Sequence, residues 1–385
     1  MPPNDLYDII VIGSGAAGLS FTYRLSQETS LGRMKILVVD PDKKVVNDRT
    51  WCFWANRPLW VDAIVYRRWD RLAFRSHFHH QNYDLGEFEY RMVRGIDFYR
   101  YTKEAINQNV NVHFVQGTAS VVTDGEDQDL ASVNVDGRTF QARWILKGAF
   151  LPSDFIPKPE RYHYLTQHFQ GWIIHTKSPQ FDPKTFTMFD FRTPQMDAMR
   201  FIYVLPFTTH DALIEYTQFT KKPQTADAYD FALQAYIRDT LNITEYKVME
   251  TEAGGIPMTN HPFARKIGHR IMTIGTPGGL VKPSTGYAFH RILKDTEQII
   301  QSLIRYDHPF AIQSPPRQYA FFDRIMLGVM ERDGSKMEHI FSQMFRNNGI
   351  KRIFNFLDET DPLIHNLPLL LSVDPLPFIS AVIRG

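Results

Sequence analysis

Three features of the sequence predict an α/β fold. A glycine turn joins an apolar strand to a helix near the start of the chain, a second glycine cluster appears around residue 277, and extended aromatic segments lie between them. Together they describe a discontinuous Rossmann-type FAD-binding domain, an antiparallel β-sheet substrate domain inserted into it, and a C-terminal helical segment. The expected ranges are 1–60, 91–150 and 262–305 for the first, 61–90 and 151–261 for the second, and 306–385 for the third.

The opening stretch runs from Leu6 to Asp40. Ile9 to Ile12 form a short apolar run suited to a strand buried on both faces. Gly13, Gly15 and Gly18, with Ala16 and Ala17 between the last two, then give G-x-G-x-x-G. The first glycine permits the tight turn, the second lets a pyrophosphate approach the backbone, and the third lets the helix pack against the strand. That helix points its N-terminal N–H groups at the phosphate. A second strand, Ile36 to Val39, ends at Asp40, whose carboxylate can accept bonds from ribose hydroxyls. Strand, turn, helix, strand and acid in that order are what distinguish a dinucleotide site from a purely structural glycine turn.

Next comes NDRTWCFW, where Arg49 and Thr50 precede Trp51, Phe53 and Trp54. An arginine there can reach a pyrophosphate and an aromatic neighbour can wall a flat ring system; an ordinary aromatic cluster beside a solvated arginine explains the same residues. Residues 62–90 alternate polar and apolar in short pieces, as strands of a second sheet do. His77, His79 and His80 invite a metal, but strand alternation puts only His77 and His79 on one face and no nearby carboxylate completes a set, so no metal is expected. Met92 to Gln108 fits a helix and Asn111 to Gln116 a strand. A β-meander follows over Ala119–Thr123, Ala131–Val135 and Thr139–Leu146, with an acidic turn from Asp124 to Asp129. The segments 168–176, 186–192, 200–206 and 212–219 predict a largely antiparallel sheet, the last two forming a hairpin.

The strand Ile271–Ile274 leads into Gly275, Gly278 and Gly279, and Ser284 or Thr285, beside Gly286, can cap a helix running to about Ile304. Two separated glycine motifs suit FAD, the second meeting the ribityl and ring end. Over the last 65 residues a capping box is expected at Ser335–Glu338. Behind it Met337, Ile340, Phe341, Met344 and Phe345 form one apolar helical face, suited to core packing or to lining a hydrocarbon channel. The tail from Leu367 is apolar but broken by prolines and could rest on a membrane surface.

Composition sets limits on function. The 385 residues carry 43 Lys and Arg against 42 Asp and Glu, so no overall field recruits nucleic acid. Cys52 is the only cysteine, which excludes an internal disulfide and a cysteine metal cluster. No basic leader precedes the first strand and no apolar run reaches the ~18 residues of a membrane span. A cytoplasmic protein is expected, soluble or peripheral on the inner face of the cell membrane.

One acid stands out. Leu213, Glu215, Thr217 and Phe219 share a strand face, so Glu215 is a carboxylate among apolar neighbours. Desolvated, it would keep a proton near neutrality and serve as a general acid or base; at a strand edge in water it would do neither.

The strings GSGAAGLS, NDRTWCFW, QHFQGW, MFDFR, FIYVLPF, LIEYT, GGIPMT, GTPGGLVKPSTGYAF, FFDRIML and FLDE, in this order, resemble the FAD-dependent lycopene cyclases of carotenoid synthesis, especially the bacterial β-cyclases. The resemblance implies closure of the linear ends of lycopene to β-ionone rings with FAD in its reduced form. NADPH or NADH would be the reductant, with no net redox change. Glu215 matches the family's essential carboxylate in the F/L-x-E-x-T string. Lys282 stands where many cyclases have His, so any proton role for that position does not carry over. Thr276 stands where flavin hydroxylases place an Asp, which favours the cyclases. The competing readings are a redox flavoprotein of the geranylgeranyl reductase and aromatic hydroxylase superfamily, and a non-catalytic protein that binds FAD and carotenoid.

Overall fold

The computed structural model describes residues 6–125, 130–151 and 154–384. The chain opens with β1 (Leu6–Ile12), α1 (Ala16–Gln27) and β2 (Ile36–Asp40). Five short strands follow: β3 (Thr50–Ala55), β4 (Arg67–Trp69), β5 (Arg71–Arg75), β6 (His80–Asp84) and β7 (Glu89–Arg94). After α2 (Gly95–Ile106) come β8 (Val112–Gln116), β9 (Ala119–Thr123), β10 (Ala131–Val135) and β11 (Arg138–Lys147). The long strands are β12 (Tyr164–Thr176), β13 (Thr185–Asp190), β14 (Met199–Pro206) and β15 (Asp211–Thr220), then α3 (Ala226–Ala235) and β16 (Tyr246–Thr259). Two small strands, β17 (Lys266–Ile267) and β18 (Ile271–Thr273), precede α4 (Phe289–Tyr306). The C-terminal helices are α5 (Arg317–Asp333), α6 (Met337–Asn347), α7 (Ile350–Leu357), α8 (Leu363–Leu370) and α9 (Leu376–Arg384).

The first sheet has the order β17-β18-β11-β1-β2-β8, with β10 paired to β11 and β9 to β10. β1 pairs in parallel with both β2 and β11, so its side chains are covered on both faces. Ile9 and Val11 enter a core with Phe21 of α1 and Ile299 of α4, while Ile10 and Ile12 enter another beneath the meander with Val133 and Phe140. The meander is as expected for β9, β10 and β11; its acidic turn lies partly in residues 126–129, outside the described residues. A cradle of close backbone contacts closes this domain. A Cβ on Gly18 would lie 1.9 Å from the Gly13 carbonyl oxygen. Gly275, with φ +61°, would bring a Cβ to 2.9 Å from Ala17 Cβ, so the two glycine motifs, far apart in sequence, touch.

The second sheet runs β16-β12-β15-β14-β13-β5-β6, antiparallel throughout except where β13 meets β5. Trp172, Ile174, Ile202, Ile214 and Tyr216 face α3. The opposite face carries Phe189, Phe201 and Phe219 toward the C-terminal helices. Met337, Ile340, Phe341, Met344 and Phe345 of α6 are buried there, Phe345 stacking on Phe74 at 4.4 Å, so the apolar stripe is core. A small third sheet, β3-β7-β4, bridges the two large ones.

Several local expectations need correction. The helix expected from Met92 begins at Gly95, because Met92–Arg94 completes β7 against Thr50–Cys52. The helix after the second glycine cluster begins at Phe289, not beside Ser284 or Thr285: residues 282–287 form a turn, and Ser284 donates to Asp323 Oδ1 at 2.5 Å. Ser335 sits in a 3₁₀ turn rather than capping α6, and Glu338 accepts a bond from the His77 N–H at 2.8 Å. His77 and His79 lie in the turn between β5 and β6, so strand alternation does not apply to them; their rings meet Glu338 and Tyr83. β16 and α3 are elements that the pattern did not reveal.

The C-terminal helices are fastened to the 282–287 turn by charge. Lys282 Nζ, 3% exposed with its whole residue, donates to Asp323 Oδ1 at 2.9 Å and to Glu359 Oε1 at 2.6 Å, and Arg291 pairs with the other oxygen of Glu359. Lys282 is thus engaged on two sides by carboxylates. Removing one partner of a buried ionic network strands the others, which costs about 3–5 kcal/mol. Lys282→Met should therefore lower unfolding stability in urea by about that much, and a loss well under 1 kcal/mol would show that the network is not holding the helices.

Candidate active site

A cavity of about 400 Å³ begins at the first glycine turn and ends on the large sheet. Gly15, Ala16, Ala17 and Gly18 form its first wall, where the start of α1 offers free N–H groups. Gly15 has nothing within 4 Å of where a Cβ would stand, so its backbone is open to a ligand. Arg49, Thr50, Trp51, Gly275, Thr285 and Gly286 line the next stretch. The far end is made by Cys52, Tyr90, Phe169, Tyr203, Leu213, Glu215, Glu252 and Tyr287.

Most of the residues singled out in the sequence therefore meet in one space, and those outside it have structural work. Gly13 turns β1 into α1 with φ +97°. Asp40 accepts the Ser14 N–H at 2.5 Å and the Asp42 N–H at 2.8 Å, fixing the turn beside which a ribose would lie. Gly278 takes a bond on its carbonyl from Arg265, and Gly279 packs on Phe263, both behind the cavity wall. Trp51 lines the cavity but stacks on Phe289 at 4.9 Å, so the helix after the second glycine cluster holds it in place. The shape and donors fit a dinucleotide: N–H groups at one end, a cation at Arg49, and an aromatic-walled end large enough for a flat ring.

The far end is built by strand register. Tyr203, Glu215, Gly171 and Glu252 stand directly opposite one another on β14, β15, β12 and β16, so one row crosses four strands on the cavity face. Thr217, two residues after Glu215 and on the same face, donates to Glu215 Oε1 at 3.1 Å. Thr50, from β3, donates to Glu252 Oε2 at 2.6 Å. What surface Glu215 exposes faces the cavity. Burial, then the neighbouring Glu252, pushes its carboxyl well above the usual range. Burial raises Glu252 too, against the bond from Thr50. Burial likewise raises the Cys52 thiol and the Tyr90, Tyr203 and Tyr287 phenols, so these groups are neutral near pH 7. Glu252, like Tyr90, Phe169, Tyr203 and Tyr287, is a site residue that the sequence did not single out. Its only signal was a glutamate five positions before Pro257 in a stretch whose Gly254, Gly255 and Pro257 hid the strand.

The family description "Lycopene cyclase protein" matches residues 8–382. The chain belongs to the lycopene cyclase family. This bears out the resemblance carried by NDRTWCFW, LIEYT and PSTGY. Among curated relatives, it is 24% identical over 315 residues to a chloroplastic neoxanthin synthase of Solanum tuberosum, which covers 78% of this chain and 61% of the relative. It is 22% identical over 325 residues to the chloroplastic lycopene beta cyclase of Arabidopsis thaliana, with 79% and 61% covered. The chain thus spans about three-fifths of the length of the curated relatives it matches. Among solved structures, a geranylgeranyl bacteriochlorophyll reductase-like protein from Thermoplasma acidophilum superposes with a TM-score of 0.61 at 12% identity, over 97% of this chain and 98% of that one. A flavin-dependent brominase gives 0.57 at 14% identity, over 98% of each. These two establish a shared fold, as the glycine motifs led us to expect for this lycopene cyclase family member.

A carboxyl that keeps its proton in the folded state binds more protons folded than unfolded, so its burial costs stability as pH rises. The wild-type protein without ligand should lose stability between about pH 4.3, the ordinary glutamate value, and the raised value of Glu215. Glu215→Gln should remove much of that slope, so its advantage over wild type is larger at pH 8 than at pH 5 in denaturant titrations. Equal slopes in the two proteins would contradict the burial of this carboxyl.

Proposed function

We propose that the protein is a lycopene β-cyclase that closes the linear ends of lycopene to β-ionone rings, giving γ- and β-carotene, with no net oxidation or reduction. The observation that carries this reading is the position of Glu215: the carboxylate of the LIEYT string lies at the aromatic end of the cavity whose other end is the dinucleotide turn. FAD in its reduced form, supplied with electrons from NADPH or NADH, would place negative charge beside a developing carbocation.

The residues of the chain then divide the work. The N–H groups at Gly15–Ala17 and the guanidinium of Arg49 would hold the pyrophosphate. Thr50, Trp51, Thr285 and Gly286 line the middle of the cavity and would hold the rest of the cofactor. Phe169, Tyr203, Leu213 and Tyr287 exclude water from the end group, which keeps a tertiary cation from being captured as an alcohol. Glu215 moves the proton: addition at C2 leaves a cation at C1, the C5–C6 double bond attacks it to close the ring, and loss of the C6 proton gives the β-ionone end.

In a lycopene-producing cell the chain should convert lycopene to products of unchanged mass and shortened chromophore. Glu215→Gln should bind flavin and lower turnover by about 10²–10⁴-fold. Products two mass units heavier, or carrying an added oxygen, would instead identify a reductase or a hydroxylase.

We also propose that the protein works while resting on a bilayer. No helix among the described residues is long and apolar enough to cross one. The last two helices and the turn between them nonetheless expose Ile364, Leu371, Leu376, Ile379 and Ile383, and in the sequence of neighbouring α5 exposed Phe321 sits between Arg317 and Arg324. Aliphatic side chains with arginines beside them suit an anionic lipid surface, the source of a substrate insoluble in water. Flotation with vesicles containing anionic lipid should carry wild type upward, and Leu371→Glu with Ile383→Glu should leave the protein in the soluble fraction. Wild type that never floats would refute this docking.

A further inference from the structure

We infer that Glu252 is a positioning residue for proton transfer: across Gly171, Glu252 and Glu215 form a carboxylate pair that holds one proton between them and so can give it and take it back. This rests on the cyclase reading for its chemistry, but its geometry stands independently.

β15 and β16 are not neighbours; β12 lies between them, so their side chains would ordinarily be held apart by whatever β12 presents. Here β12 presents Gly171, opposite both glutamates. The place a Cβ would take is already filled from both sides. Glu252 Cγ would be 3.2 Å from it, Glu215 Cβ 3.4 Å and Leu213 Cδ1 2.9 Å. The glycine is the gap through which two strands that do not pair bring their carboxyls together.

The hydrogen bonds are matched in the same way. Each glutamate has one oxygen engaged by a threonine hydroxyl, Thr217 on Glu215 Oε1 and Thr50 on Glu252 Oε2. That leaves one oxygen on each. Glu252 Oε1 is buried and receives no bond from any fixed donor, an expensive state for a carboxylate oxygen unless a proton on Glu215 satisfies it. The strongest influences on each carboxyl are burial, the other glutamate and these threonines, and none is a cation. Among the described residues, the other ionisable groups that act on the pair are Cys52 on β3, Tyr90 on β7, Tyr203 on β14 and Tyr287, all kept neutral by burial, and Glu250 on β16, whose charge adds to the effect on Glu252. Two carboxyls so placed do not both ionise in the resting cavity, where no positive charge offsets the second.

The shared proton balances the reaction within the protein. The pair, carrying one proton, gives it to C2 as the C1–C2 π electrons form the new C–H bond. Ring closure moves the positive charge to C5. The pair, now fully ionised, takes the C6 proton as that C–H bond's electrons become the C5–C6 double bond, and returns to its starting state. No outside acid or base is consumed. Full ionisation of the pair is unfavourable in the resting cavity and is offset by the cation that forms beside it.

The test compares flavin-loaded wild type, Glu252→Gln and Gly171→Ala in two measurements. The first is the pH dependence of lycopene turnover. An amide at position 252 donates to Glu215 and favours its ionised form, so the alkaline limb should move down by about 1–3 pH units. Gly171→Ala changes no ionisable group and should move the limb the same way by pushing the pair apart. The second is an infrared pH titration of the protonated-carboxyl band, which needs no substrate. The band should persist at neutral pH in wild type and titrate at lower pH in both Glu215→Gln and Glu252→Gln, where the amide donates to the remaining carboxylate. A limb and a band that stay in place in Glu252→Gln, whose isosteric side chain preserves the fold, would overturn the proposal. Wild type that shows the shared-proton band but never cyclises lycopene would leave the pair standing and refute the cyclase reading alone.

Discussion

The interaction on which the rest depends is a carboxyl half-buried at the sheet end of a cavity, raised by desolvation, with no cation paired to it among the described residues. Such a group is costly, since an ordinary glutamate gains several kcal/mol by staying in water. Glu215 is held there because it lies in a strand whose other residues on that face, Leu213 and Phe219, are core. Register, set by ten consecutive pairs with β12, gives it no alternative position. A site of this kind sacrifices stability for a proton that stays bound at neutral pH, and local destabilisation at a functional position is expected of an active site.

Around that group the architecture brings two chemistries to one cavity. The parallel sheet places the glycine turn at the end of β1, where helix N–H groups collect anionic ligands. The antiparallel sheet supplies a broad apolar face. Contact of Gly275 with Ala17 joins the two glycine motifs, and the 282–287 turn, fastened by Lys282, Asp323 and Glu359, sets Tyr287 over the far end. The C-terminal helices thus matter to the site without lining it: they hold the turn that does.

Much of this was legible in the sequence because the signals were local. The first β-α-β unit announces itself through an apolar run, three spaced glycines and a terminal acid, and the meander and the β14–β15 hairpin through simple alternation. Glu215 was legible as a candidate because Leu213, Thr217 and Phe219 fix its face. What could not be read were features made by pairing. β16 carries two glycines and a proline, which locally argue against a strand, and only its thirteen-residue register with β12 makes it one. Glu252 and Gly171 have no meaning until that register is known. Helix starts failed for a related reason. Ser284 and Ser335 look like caps, but tertiary partners, Asp323 for the first and a 3₁₀ turn for the second, claimed those residues. Lys282, in the position of a family histidine, reads from sequence as a lost proton donor; in space it is a structural cation.

The central claim is that a proton from the protein is added to the hydrocarbon and another is removed, with no electrons exchanged overall. Isotope counting tests it directly. Flavin-loaded protein equilibrated in D₂O and given lycopene for a single ring closure should yield a product one deuterium heavier, the label at C2. A cyclised product without deuterium, or a product whose added mass reflects reduction or oxygenation, would contradict the account.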